Sequence, residues 1–193
     1  MDNVVDARGL TCPQPVILTK KALEQLQDGY VVTVVNDRTA LENVIKLAKS
    51  MAYEVDVEEK GEEYHIHIGK GVDMTRADLD HYDGVTFVIK SQFLGEGDSE
   101  LGRTLMKSFF YTLTQMGRAA SAIIFMNSGV ALSTQGSEVI EHLHALEQSG
   151  VEILSCGTCL DFYNLKQMLM VGQVSNMYNI LDKICSGNKV ITL

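Results

Sequence analysis

The sequence predicts an α/β protein in two parts. The first is a two-layer β-α-β-α-β-β domain, and the second is a doubly wound, mostly parallel α/β domain. Three observations predict this. Residues 1–70 run strand, helix, strand, helix and then a hairpin. Residues 72–83, "VDMTRADLDHYD", are acidic and lack any clean period. Residues 84–193 alternate strand and helix, the pattern of a parallel sheet with crossover helices. The expected division is a domain over 1–71, a linker over 72–83 and a second domain over 84–193. A chain of 193 residues has room for two small domains, although each alone has a thin stability margin.

The elements follow in order. Residues 3–6 form a short strand. Val16, Ile17, Leu18, Ala22, Leu23 and Leu26 recur at helical spacing, so a helix spans 13–27 and Asp28-Gly29 closes it. "YVVTVV" is β-branched and reads as a buried strand. "TALENVIKLAKSM" is amphipathic, with Leu41, Val44, Ile45 and Ala48 inward. "YEVDVEE" and "EYHIHIG" alternate apolar and polar around Lys60-Gly61, a hairpin signature. In the second part, strands are expected at 85–90, 121–126, 151–156 and 189–193. Helices are expected at 99–116, 137–148, 160–170 and 174–185.

Composition narrows the function. The formal net charge is −9, with −6 in residues 1–81 and −3 in residues 82–193. Neither part offers the basic field that a phosphate backbone requires, so nucleic acid is excluded as an expected partner. An anionic membrane surface is excluded for the same reason. The start, "MDNVVDARG", lacks the pattern of a signal peptide, and no apolar run approaches a membrane span. The expected location is therefore the cytoplasm, where the four cysteines stay reduced.

Both prolines of the chain, Pro13 and Pro15, stand directly after Cys12. Proline suits the first turn of a helix, because its missing N–H would be unpaired there anyway. That puts Cys12 at the cap, facing unpaired N–H groups and the positive end of the helix dipole, both of which favour thiolate. Cys12 is thus a candidate reactive sulfur, with Arg8, Pro13 and Pro15 shaping its surroundings. The plainer reading is a small cap residue beside two helix starters, and spacing alone does not choose between them.

In a doubly wound sheet, sites form at the carboxyl ends of the strands. The loops there would gather Gly95, Gly97, Asn127, Ser128, Gly129, Cys156 and Cys159. Cys156-x-x-Cys159 can close into a disulfide or pass sulfur between its members. Cys159 should open a helix and so have the lower thiol pKa. Two turn-forming cysteines are the plainer alternative. Zinc is not expected, since no second pair of ligands lies at close spacing. "LGEGDSELG" reads as a helix capped by Asp98 rather than a phosphate cradle, because its acids would repel a phosphate. Cys185 follows Val174, Met177, Leu181 and Ile184 on an apolar stripe and is expected in the core. His65 and His67 share one face of a strand, more simply a solvated face than a metal pair. Nothing suggests a nucleotide, flavin or haem.

"DARGLTCPQPVILTKKAL" resembles the TusA/SirA-like sulfur carriers, which are marked by Cys-Pro-x-Pro at the start of the first helix. The resemblance implies that Cys12 carries a persulfide sulfur. "GEGDSELGRTLMKSFFYTL", "FMNSGVAL" and "CGTCLDFYNL" resemble the DsrE-like proteins of sulfur relay. The two together resemble a two-domain family of selenium metabolism. The combination implies a sulfur or selenium relay with sulfurtransferase-like activity, no cofactor, a cysteine desulfurase-type donor, a second sulfur- or selenium-handling partner, and assembly into a homo-oligomer. A dithiol redox protein using Cys156 and Cys159, and an interaction module without chemistry, are the alternatives.

Overall fold

The computed structural model describes residues 3–26, 29–69, 84–117, 119–186 and 189–193. The linker expected at 72–83 lies outside them, as do residues 27 and 28, on which the expected end of the first helix falls. The chain divides into two compact units, Met1–Asp80 and His81–Leu193.

In the first unit, β1 (Asn3–Asp6), β2 (Tyr30–Val35), β4 (Glu63–Gly69) and β3 (Glu54–Lys60) form one sheet in that spatial order. β1 runs parallel to β2, and β4 pairs antiparallel with both β2 and β3. Helices α1 (Gln14–Gln25) and α2 (Arg38–Ser50) form the second layer. The strand alternation decides what is buried. Val31, Val35, Ile66 and Ile68 meet Leu23, Val44 and Ala48 in the core. Each fully buried aliphatic side chain there contributes about 1.5–3 kcal/mol. The β-hydroxyls of Thr19 and Thr33 are also buried but satisfied: they lie 3.0 Å apart, and Thr19 donates to the Pro15 carbonyl at 2.7 Å. Asp37 caps α2 by accepting from the Ala40 N–H at 2.8 Å. On the opposite sheet face, His65 and His67 lie 3.7 Å from the carboxylates of Glu63 and Glu58.

The second unit is a five-stranded parallel sheet in the order β8-β7-β6-β5-β9. Its strands are β5 (Val85–Ile89), β6 (Ala120–Phe125), β7 (Glu152–Cys156), β8 (Gln173–Ser175) and β9 (Val190–Thr192). β5 is buried along its whole length and β6 along all but Ser121, as a sheet covered on both faces requires. The helices are α3 (Ser99–Gln115), α4 (Ile140–Gln148), α5 (Gly157–Phe162) and α6 (Met177–Cys185). Phe110, Phe125, Ile123, Ile124 and Leu143 anchor the core. Asp98 caps α3 through the Leu101 N–H at 2.9 Å, as expected.

Three expectations are corrected. The helix expected at 160–170 is α5 alone, followed by a 3-10 turn at Lys166–Met168. Asn164 takes a left-handed φ of 56°, Asn164 N–H bonds the Asp161 carbonyl, and Leu165 N–H bonds the Leu160 carbonyl. That pair of bonds is a Schellman stop, which ends a helix whatever follows it. The helix expected at 174–185 begins later, because Gln173–Ser175 is the edge strand β8 and Asn176 caps α6. Cys185 is exposed rather than in the core. The inward residue of α6 is Ile180, whereas Val174, Met177 and Leu181 are 45–51% exposed. The apolar stripe was real, but most of it faces outward.

Candidate functional sites, one in each unit

Cys12 sits in the loop that leaves β1. Two asparagines tie that loop down. Gly9, at a left-handed φ of 71°, donates its N–H to Asn36 Oδ1 at 2.8 Å. Asn43 of α2 points its side-chain amide at the Cys12 Sγ, 3.8 Å away. The thiol is exposed. The cap of α1 is Pro13, so Cys12 stands one residue outside the expected cap position. Pro13 and Pro15 carry no N–H, and the Gln14 N–H is taken by the Thr11 carbonyl at 3.0 Å. The ring of unpaired amides expected around the sulfur is therefore largely absent. Pro15 is itself buried. The prolines hold the turn, and the sulfur is left outward.

Arg8 does not reach Cys12 with its charge. Its guanidinium is bound by Asp6 at 2.6 Å and by Glu63 at 2.8 Å. Those hydrogen bonds hold the Asp6 carboxyl down at about 2 and lower that of Glu63. Arg8 thus braces the base of the loop, joining the end of β1 to the start of β4.

The second site lies at the carboxyl ends of β6 and β7. Cys156 is the last residue of β7 and is buried, while Cys159 is half-buried on α5. The Asn127 N–H, just past β6, donates to Cys159 Sγ at 3.1 Å. The Tyr163 hydroxyl donates to Asn127 Oδ1 at 2.8 Å. Asn127 adopts a left-handed φ of 49°, which asparagine tolerates better than most residues. Gly129 is required for space: a Cβ there would lie 2.3 Å from the Ile89 carbonyl oxygen. The 3-10 segment Asn127–Ser133 is also fixed to β7 by the buried Ser133–Ser155 hydroxyl pair at 2.8 Å.

The thiol pKa expectation is corrected here. Burial pushes the Cys159 thiol up, and a hydrogen bond with the Cys156 side chain adds to that, while the Asn127 N–H pulls the other way. Cys159 is thus held protonated, with one donor already aimed at its sulfur. Of the expected rim, Asn127, Gly129, Cys156 and Cys159 come together. Ser128 is half-buried next to Asn127. Gly95 is exposed in the loop before α3, where its φ of 85° serves a turn. Tyr163, Asn36 and Asn43 were not anticipated. Tyr163 had one available signal, its position a single helical turn after Cys159. Ser175, in register with Cys156, is 7% exposed, and its hydroxyl has no hydrogen-bond partner among the described residues.

A cleft of about 430 Å³ on α3 is lined by Glu100, Arg103, Lys107 and Glu138 and holds none of the cysteines. Among the described residues, no group of three or more His, Cys, Asp or Glu is arranged to hold a metal ion. No helix among them is long and apolar enough to cross a membrane.

An exposed Cys-Pro-x-Pro thiol on a two-layer unit, followed by a Cys-x-x-Cys pair at the strand ends of a parallel sheet, defines a two-domain thiol protein. Residues 3–70 match the family model described as Sulfurtransferase TusA, and residues 81–193 match the DsrE/DsrF-like family. The chain belongs to the DsrE/DsrF-like family, with a TusA-like sulfurtransferase domain fused ahead of it. A candidate sulfur carrier protein of Methanocaldococcus jannaschii is 44% identical over 59 residues, 30% of this chain and 79% of that one. A SirA-like protein from Desulfitobacterium hafniense is 35% identical, covering 35% of this chain and 96% of its own, with a TM-score of 0.34. The ychN protein from Escherichia coli is 14% identical, covering 57% and 98%, with a TM-score of 0.45.

Proposed function

We propose that the protein relays sulfur or selenium between partner proteins. The Cys12 thiolate attacks the terminal chalcogen of a persulfide or selenopersulfide on a cysteine desulfurase-type donor. The donor's bond to that atom breaks, its cysteine leaves as thiolate, and no net oxidation occurs. The loaded atom then passes by the same exchange to Cys159 or Cys156, within one chain or across copies in a homo-oligomer. Attack of the second cysteine's thiolate on the Sγ that carries the transferred atom breaks the Sγ–chalcogen bond, expels hydrosulfide or hydroselenide and leaves a Cys156–Cys159 disulfide. An external dithiol reductant restores the pair.

The observation that carries this reading is the exposed Cys12 thiol, set outward by its prolines in a unit similar to a candidate sulfur carrier. The pairing of the two units resembles the selenium metabolism protein YedF, which supports selenium as one cargo. The proposed setting is the cytoplasm. The test is peptide mass spectrometry after incubation with a cysteine desulfurase, fed cysteine or selenocysteine. The added atom should map to Cys12 first and to Cys156 or Cys159 later, and Cys12→Ser should abolish loading. A Cys12→Ser chain that loads normally would overturn the proposal.

A second reading is a dithiol redox protein, favoured by the Cys-x-x-Cys spacing that puts Cys156 at the end of β7 and Cys159 in the first turn of α5. It expects a chain that stays unloaded but cycles that pair at an oxidoreductase-like potential.

A further inference from the structure

One turn of α5 grips Asn127 at two points. Cys159 Sγ accepts the Asn127 N–H at 3.1 Å, and the Tyr163 hydroxyl donates to its Oδ1 at 2.8 Å. Cys159 and Tyr163 are four residues apart, so both project from the same side of the turn. Tyr163 also returns its own N–H to the Cys159 carbonyl at 3.1 Å. The backbone on either side of Asn127 cannot drift. The Met126 N–H is bonded to the Ile89 carbonyl at 2.9 Å, and the Gly129 N–H to the Met126 carbonyl at 3.0 Å. Gly129 itself is pressed against Ile89. The Asn127 amide is thereby fixed, at a left-handed φ of 49°, and what is left to set is where the α5 turn sits against it. The Asn127 side chain reaches the Tyr163 hydroxyl.

We propose that Tyr163 is a positioning residue for the Cys159 sulfur: its hydroxyl ties the α5 turn to Asn127, so that Sγ stays in front of the Asn127 amide. This rests on the reading of Cys159 as a relay thiol. A backbone N–H pointed at sulfur stabilises the anionic form, whether thiolate or loaded persulfide. It is needed here because burial and the neighbouring Cys156 both oppose the anion. The titratable groups around this arrangement are Cys156 at the end of β7 and Tyr163, the cap residue that follows α5. Asp161 and Lys166, nearby in the chain, are paired with each other at 2.9 Å.

The test is site-resolved alkylation of the full chain by iodoacetamide, from neutral to alkaline pH, under reducing conditions. Tyr163→Phe keeps the ring and removes the hydroxyl. It should slow Cys159 alkylation at neutral pH by about three- to tenfold, the weight of roughly one hydrogen bond, and move its midpoint to higher pH. The Cys12 rate should not change. Asn127→Gly keeps the left-handed backbone and the N–H but removes Oδ1. It should reproduce the effect, and the double variant should be no slower than the slower single one. A Cys159 profile unchanged in Tyr163→Phe would overturn the proposal even if the melting temperature fell. Desulfurase loading of the unmodified chain separates the two claims. If alkylation shifts but Cys159 is never loaded, the positioning role stands and the relay reading fails.

Discussion

Gly129 shows how little freedom a single position near Cys159 has. Adding one carbon there places it 2.3 Å from a backbone oxygen that belongs to β5. Backbone cannot step aside as a flexible side chain can, so Gly129→Ala should destabilise the second unit by about 1–3 kcal/mol. Urea unfolding of the full chain checks this. The sequence marked Gly129 and Asn127 as members of a strand-end rim, and both are there. The reasons were not readable. A glycine needed for a close approach looks like any loop glycine, and an amide aimed at a sulfur leaves no trace in residue type. Tyr163 was missed because a helix expected to run on to residue 170 gave no cause to ask what its first turn touches.

At the level of elements, the Arg8 bridge makes the first sheet sensitive to acid. Asp6 titrates at about 2 rather than the ordinary 3.8, chiefly because Arg8 hydrogen-bonds its charged form. A depressed carboxyl contributes stability that is present above the unfolded value and lost as pH falls through the folded one. The window therefore runs from just below pH 4 to about pH 2. Arg8→Ala should return Asp6 toward its ordinary value, as a carboxyl-resolved NMR titration would show. Both asymmetric features of α5 and α6 were hidden from periodicity for related reasons. The Schellman stop depends on Asn164 turning left-handed, and β8 is three residues long. An apolar stripe identifies a helix face but not whether that face turns inward. For Met177 and Leu181 it turns outward. The β-α-β-α-β-β order and the parallel sheet were legible because they rest on long, strongly patterned segments.

Across the whole molecule, each unit has its own core, and none of the described residues belongs to both. Ile66→Ala should therefore cost the first unit about 2–5 kcal/mol, read as faster hydrogen exchange at the Val31 and Val35 amides. The four thiols are likewise unequal. Oxidants take sulfur according to its thiolate character and its exposure. Cys12 and Cys185 are open to solvent, Cys156 is enclosed, and Cys159 is partly covered and held protonated. Faced with peroxide, the chain should lose its outward sulfurs first and keep the inner pair intact. Under the proposed relay, oxidation would therefore stop loading at Cys12 while the inner pair stayed chemically usable, a difference that peptide mapping of the oxidised chain would read directly.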